Sequence, residues 1–376
     1  MKAWHIWDFP DTTYLSLKDE FREEFFSRMF KEVGGKRPYA KSLGIGQKTV
    51  KQYAQGYSHK SGIKHPQAIP LSVFKKSLPL IDYQLKERIE ENIKSIKAKN
   101  KGKPVLNLKL PFRESPALYR IVAHVIGDGS APGNKVPYYA NTCIELREQF
   151  KKDLNIFGEM DVYERVMGKI PVVYFPKVIT DILSYILNVK FSYPDRIPSQ
   201  IFQSSEDCKF AFLQALFDDE DTMSTNLAIS MSNFNIIEEI KNLTESVGVA
   251  TGKISKKENN PYPTNFSLSI KRKCLKEFDK KISFAHPKKL MNLNASITSK
   301  SRKQRTRQIE DIDNQILNFL NNSKKTTLEV ANEIKLTLGY TLRLLKRLEV
   351  QNKISRSGFK NRIFWLVNYG RVHLHS

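Results

Sequence analysis

Apolar positions recur at helical spacing over Leu17 to Glu32, with Phe21, Phe25 and Met29 on one face and charge on the other, which predicts an amphipathic helix. After Gly34 and Gly35, Pro38 to Leu43 and Lys48 to Gln55 carry the same period on either side of the turn Gly44, Ile45, Gly46. Their apolar set is Ala40, Leu43, Ile45, Val50 and Tyr53. Helix, glycine turn and helix in that order predict a helix-turn-helix whose second helix presents Gln47, Lys48, Lys51 and Gln52 to a major groove. An ordinary helical hairpin would carry the same pattern. Leu71 to Leu78 and Tyr83 to Ile96 continue the helical period. Lys94 to Pro104 (KSIKAKNKGKP) reads as a basic linker that could also track phosphates. Residues 1–110 therefore read as a mostly helical first domain.

Ser115 and Pro116 open the next helix, with proline at its first turn. It runs into Ile121 to Gly129 (IVAHVIGDG), an apolar stretch that ends in an acid and a glycine. Ala123 and Gly127 share one face and admit a second helix at backbone distance. Asp128 then sits where the helix dipole disfavours a carboxylate, so a cation is called for. Leu213 to Asp221 (LQALFDDED) has the same grammar: Ala211 and Ala215 are the small pair, Leu213, Leu216 and Phe217 the apolar body, and Asp218, Asp219, Glu220 and Asp221 the acidic end. Two small-faced helices can pack together and bring their acidic ends to one point.

A second similarity lies at an offset of 90 positions. Ile144 to Gly158 overlays Phe234 to Gly248, with Glu148 on Glu238, Lys151 on Lys241 and Gly158 on Gly248. Strand-like segments fall between these landmarks, at Val136 to Thr142 and Lys169 to Phe175, then at Asn226 to Met231, Gly252 to Ser255 and Asn265 to Ile270. The expected class is α+β, with halves over residues 115–205 and 206–300. Beyond a basic link (KSRKQRTR), Asp311 to Leu320, Thr326 to Ile334, Thr341 to Asn352 and the alternating tail Ile354 to Val367 follow the order of a winged helix over residues 308–370. Arg343, Lys346 and Arg347 on its third helix and Lys360 and Arg362 on its wing would face phosphates. A protein-interaction winged helix has the same order.

Charge narrows the chemistry. The 376 residues hold 62 Lys and Arg against 39 Asp and Glu, a net charge of +23, which points to a polyanionic partner. Carboxylates that converge on so basic a chain suggest a divalent cation held over that polyanion. Cys143, Cys208 and Cys274 have no paired spacing, so neither a disulfide framework nor a zinc site is expected. No window reaches about 18 apolar residues and no signal peptide is visible. The expectation is a cytoplasmic, nucleoid-associated protein with no membrane partner.

The two acid-ended segments resemble the paired motifs of the LAGLIDADG (dodecapeptide) homing endonuclease family, as a single chain with two motifs. Asp195 to Phe202 (DRIPSQIF) and Ile282 to Ile297 (ISFAHPKKLMNLNASI) resemble segments that members carry in those places. The resemblance covers residues 115–300, about half the chain. It implies a duplicated αββαββα core with a pseudo-twofold axis, in which two sheets form a saddle over double-stranded DNA and the protein acts as a monomer. It places the metal-binding acids on Asp128 and Glu220, which would hold Mg²⁺ or Mn²⁺ for phosphodiester hydrolysis. The backbone carbonyls of Gly127 and Asp219 would complete the shell. The outward faces would offer Asn141, Arg165, Lys169, Lys253, Lys256, Lys257, Lys271, Arg272 and Lys273 to DNA.

The sequence departs from the family pattern at Asp221, where glycine is usual. Many relatives also place a basic side chain after each motif, where this chain aligns Asn141 or Thr142 and Ser232, with Lys135 or Lys253 as substitutes. His124 reads as a packing residue of the helix pair. Two other readings remain at this stage: a DNA-binding regulator that keeps the scaffold without cleavage, and a maturase that folds structured RNA. An active intein is not expected, because the terminal residues Leu374, His375 and Ser376 lack the end that splicing needs.

Overall fold

The computed structural model describes residues 2–58, 64–65, 67–99, 102–133, 135–220, 227–257, 264–298, 309–321, 323–358 and 363–368. The chain divides into two compact units, Met1–Asp219 and Glu220–Ser376. Among the described residues no helix is long and apolar enough to cross a membrane.

The first unit opens with helices α1 (Asp19–Glu32), α2 (Lys36–Leu43), α3 (Gln47–Gln55), α4 (Leu71–Ser77) and α5 (Tyr83–Glu91). Gly44, in the left-handed region at φ 69°, caps α2 and turns the chain into α3. Phe25, Phe26, Met29, Tyr39, Leu43 and Val50 are buried, so the faces expected to be apolar are the ones that pack.

Helices outweigh strands in this region, but an antiparallel sheet runs through it in the order Glu159–Met160, Val105–Leu106, Ile93–Ala98, Thr13–Leu17, Ile69–Pro70. The basic run is not a linker through its first half: Ile93–Ala98 is a central strand of that sheet, and the expected helix to Ile96 stops at Glu91. Counting lysines hid the strand. Ile93, Ser95, Ile96 and Ala98 are buried, and Lys94 is left unpaired where the register shifts between Ser16 and Leu17. Burying Ile96 alone contributes about 1.5–3 kcal/mol, more than a solvated tether of charges could offset.

The rest of the unit comprises α6 (Pro116–Ile126), α7 (Ile144–Leu154), α8 (Lys177–Ile186) and α9 (Glu206–Glu220), the last of which ends one residue past the unit's boundary. Ser115 caps α6, its hydroxyl accepting from the Leu118 amide, with Pro116 at the first turn. A four-stranded antiparallel sheet runs Tyr163–Met167, Ile170–Tyr174, Tyr138–Ala140, Gly129–Ser130. Phe150 of α7 packs against Tyr139 and Phe175, with ring centroids 4.8 and 5.3 Å away. Phe112 stacks on Phe9 and meets Phe157 edge-on, joining the N-terminal sheet to this layer.

The second unit holds α10 (Phe234–Ser246), α11 (Leu275–Lys281), α12 (Pro287–Thr298), α13 (Ile309–Leu320), α14 (Thr327–Glu333) and α15 (Leu338–Val350). Its first sheet runs Ala228–Met231, Asn265–Ser269, Ser255–Lys257. This repeats the order of the first unit's sheet: the strand that precedes the amphipathic helix pairs with the second strand of the following hairpin. Gly158 and Gly248, at the ends of the two overlaid segments, both adopt positive φ, 138° and 84°. A second sheet, Lys325–Thr326, Phe364–Val367, Ile354–Ser357, lies with α13, α14 and α15 around a core of Ile316, Leu345, Leu348 and Trp365.

Candidate active site

Every residue from Ile121 to Ile126 of α6 is buried, as expected of a helix that is apolar all round. It runs alongside α9 in the same direction. Tyr119 meets Phe212 at 6.5 Å between ring centroids, and eight residues further on Gly127 meets Asp219. The small residues make this approach possible: a Cβ on Gly127 would lie 3.0 Å from the Asp219 Cβ. Gly129 is more constrained still, since a Cβ there would stand 2.4 Å from the Val125 Cα and 2.8 Å from the Val125 carbonyl oxygen. The chain can therefore double back from the end of α6 into the strand Gly129–Ser130 only with glycine at that place.

At this crossing the side chains of two acids come together. The Asn141 amide donates to Asp128 Oδ2 at 3.1 Å and to Asp219 Oδ1 at 3.2 Å. The Cys143 amide donates to Asn141 Oδ1 at 2.9 Å, which fixes the side chain with its NH₂ toward the two carboxylates. Tyr139 donates its hydroxyl to Asp219 Oδ1 at 2.7 Å, and His124 Nδ1 donates to Asp219 Oδ2 at 2.9 Å. The side chains of His124 and Asp219 are 2% and 0% exposed, so this is a buried ion pair whenever the imidazole is protonated. Burial alone would pull the His124 pKa down. The Asp219 charge beside it, with Asp218 and Asp153 further off, outweighs burial and holds it above its ordinary value. Burial and the same carboxylate push the Tyr139 hydroxyl far up, so it stays a donor.

The structure corrects one expectation and adds a residue. Asn141, expected to face DNA, is 8% exposed and bridges the acids. Asn141 lies one residue past the strand Tyr138–Ala140 and, like Tyr139, reaches Asp219. The Asp219 side chain, expected to lend only its backbone carbonyl, accepts from His124, Tyr139 and Asn141. His124 packs at the helix pair, against Tyr139 and Phe150. Asp128 is half-buried beyond the last turn of α6, and Glu220 is the half-buried last residue of α9. Asp221 lies outside the described residues.

The remaining site residues fall on several surfaces. Lys48 and Lys51 are exposed on α3, and Gln52 is half-buried. Arg165 and Lys169 are exposed on the hairpin of the first sheet, Arg165 lying over the Tyr163 ring. Lys253, Lys256, Lys271, Arg272 and Lys273 are exposed in the second unit, and Lys257 ends the strand Ser255–Lys257. Arg343 and Lys346 are exposed on α15, whereas Arg347 is committed to an ion pair with Asp313 of α13. Lys360 and Arg362 lie outside the described residues. Among the described residues no group of three or more His, Cys, Asp or Glu is arranged to hold a metal.

No family model matches the chain. A curated relative, the glutamine–fructose-6-phosphate aminotransferase (isomerizing) of Methanocaldococcus jannaschii, is 25% identical over 203 residues, half of this chain and 18% of that protein. The chain thus spans less than a fifth of the length of the relative it matches. Among solved structures, I-DmoI in complex with DNA and Ca has a TM-score of 0.36 at 13% identity, over 48% of this chain and 97% of that one. The homing endonuclease I-WcaI bound to its DNA recognition sequence has a TM-score of 0.33 at 16% identity, over 47% of this chain and 86% of that one. Likenesses at these TM-scores carry no inference about function.

Proposed function

We propose that the chain is a divalent-metal-dependent endonuclease that cuts double-stranded DNA at specific sites. The observation that carries this reading is the convergence of Asp128, from the end of α6, with the end of α9 at Asp219, through one shared amide. Two small-faced helices deliver acids to one place on a chain of net charge +23. Such a chain would attract the phosphate backbone and present carboxylates to it.

The residues fit Mg²⁺ or Mn²⁺ in a particular way. Asp219 has three side-chain donors on its two oxygens, so its carboxylate is a poor ligand. Asp128 and Glu220 would bind the ion, with the carbonyls of Gly127 and Asp219 as further hard oxygens. A set this small suits Mg²⁺, which usually takes one or two carboxylates and fills its shell with water and substrate phosphates. When bound, the ion neutralises charge that builds on the phosphoryl oxygens and activates water. The chain's own contribution is positional. Gly127 and Gly129 set the backbone, Asn141 holds the Asp128 carboxylate, and Asp219, anchored by His124 and Tyr139, fixes the end of α9. Lys48, Lys51, Gln52, Arg165, Lys169, Lys253, Lys256, Lys257, Lys271, Arg272, Lys273, Arg343 and Lys346 would hold the duplex across a duplicated core, an N-terminal helix-turn-helix and a C-terminal winged helix.

A second reading, a DNA-binding regulator on the same scaffold, draws on one feature. Asn141, one of the positions that align with the family's basic side chain, is a buried amide that donates to two carboxylates. The test is to incubate the chain with a library of its genomic flanking DNA in Mg²⁺ and in EDTA. Cuts at defined sites that require Mg²⁺ support the endonuclease. Salt-sensitive binding of a defined site with no cut in either buffer would overturn it in favour of the regulator.

A further inference from the structure

A cleft of about 1210 Å³ opens elsewhere in the first unit, between the end of α8 with the loop after it and the residues Pro10, Thr12 and Lys99. That volume exceeds the upper range of pockets for single small molecules, about 1,000 Å³, and suits a run of several residues of a polymer. Its charge has a definite sign. Lys99, Lys177, Lys190 and Arg196 line it against Asp181 and Asp195. Lys177 pairs with Asp181 and Lys190 lies 3.8 Å from Asp195, which leaves Lys99 and Arg196 exposed and without an ion pair among the described residues.

Two tyrosines accompany these cations. Tyr185, on the lining, is 58% exposed, with the Lys75 ammonium 5.9 Å from its ring centroid. Tyr193 follows the lining residue Ser192 and is 95% exposed, with its backbone in the left-handed region at φ 56°. That conformation is disfavoured for a bulky side chain and costs about 1–3 kcal/mol, and exposure returns nothing to folding. Ser192 donates its hydroxyl to the Ala131 carbonyl at 2.5 Å, so the loop is tied down at the residue before the strain. An aromatic ring held in solvent by a strained, anchored loop beside unpaired cations is the composition of a base-stacking platform.

We propose that this cleft binds an unpaired nucleic-acid strand, with bases stacked on Tyr193 and Tyr185 and phosphates passing Lys99 and Arg196. Duplex DNA would not satisfy it, since paired bases offer no free face to the tyrosines. A peptide would need apolar side-chain pockets in place of the stacking faces. The proposal goes beyond duplex cleavage and does not depend on it.

The full chain is titrated with a fluorescent single-stranded oligonucleotide of about 12 nucleotides, and with a duplex of the same length, followed by anisotropy. Tyr193→Ala should weaken single-strand binding about tenfold, while Tyr193→Phe stays within about twofold and duplex binding is unchanged. Lys99→Gln with Arg196→Gln should lower the slope of log K against log salt for the single strand by about 1.4. A photoreactive 5-iododeoxyuridine strand should cross-link within residues 185–196. Equal single-strand binding by wild type and Tyr193→Ala would overturn the proposal. So would cross-links confined to residues 253–273, or an absence of single-strand binding. Mg²⁺-dependent duplex cleavage, scored on the same preparations, reports separately on the endonuclease reading.

Discussion

The strand before α7 and the strand before α10 occupy the same place in two sheets of the same order, yet they face their helices with different chemistry. At an offset of 90 positions, Tyr139 and Asn141 in the first correspond to Ile229 and Met231 in the second, and the helix caps Cys143 and Asn233 correspond as well. Tyr139 and Asn141 donate to Asp219, and Asn141 also to Asp128, whereas Ile229 is plain core at 0% exposure. The Asn233 side chain caps α10 through the Asn235 and Ile236 amides, while the Cys143 amide is spent on fixing Asn141. Two sheets of the same strand order thus face their helices differently, one with core side chains and one with donors to acids. A carboxylate can be buried at the helix crossing because the first strand supplies its donors.

Substitutions at matched positions sharpen or break this contrast. The largest effect is expected at the turn after α6. Gly129→Ala drives a Cβ into the Val125 backbone and should cost about 3 kcal/mol in denaturant unfolding. Asn141→Leu removes a donor that two carboxylates share and should cost about 2–3 kcal/mol, against under about 1.5 kcal/mol for Met231→Leu. Equal losses at the two positions would end the distinction. Tyr139→Phe removes one donor to a buried charge, worth about 1.5–3 kcal/mol, where Ile229→Val costs about 0.5–1.5 kcal/mol for a methyl group.

The smallest effect is electrostatic. Hydrogen bonding to Lys151, opposed by burial and aided by the Arg147 charge, holds the Glu164 carboxyl below its ordinary value. A depressed carboxylate stabilises above its unfolded pKa and loses that contribution as pH falls through the folded value. The stability gap between wild type and Glu164→Gln should therefore be constant from pH 7 to about 5 and close below about 4.5, with a size of at most about 1 kcal/mol because the pair is partly exposed.

Much of this arrangement was legible in the chain. Of the small residues, Gly127 foretold a close approach to the end of α9, because such an approach leaves a compositional trace that needs no knowledge of the partner. The 90-residue offset foretold α7 and α10, since amphipathic period survives divergence. What escaped reading was the strand Ile93–Ala98, whose lysines masked four buried positions, and the inward turn of Asn141. A polar residue at a strand end carries no mark of which carboxylates await it; its burial is decided by where two distant helices end. Nor does an acidic run tell which member packs and which binds. Asp219 and Glu220 are adjacent; the donors around Asp219 fit it for packing, and the separation of roles between the two belongs to the proposal.

That separation can be measured directly. Mg²⁺-dependent cleavage of a bound site and the unfolding midpoint are to be read on the same preparations of Asp128→Asn, Glu220→Gln and Asp219→Ala. The account predicts that Asp128→Asn and Glu220→Gln fold and bind DNA like the wild type and do not cut. Asp219→Ala should lose about 3 kcal/mol of stability by leaving buried His124 and Tyr139 without their acceptor. Full cleavage by Asp128→Asn, or an Asp219→Ala protein as stable as the wild type, would contradict it.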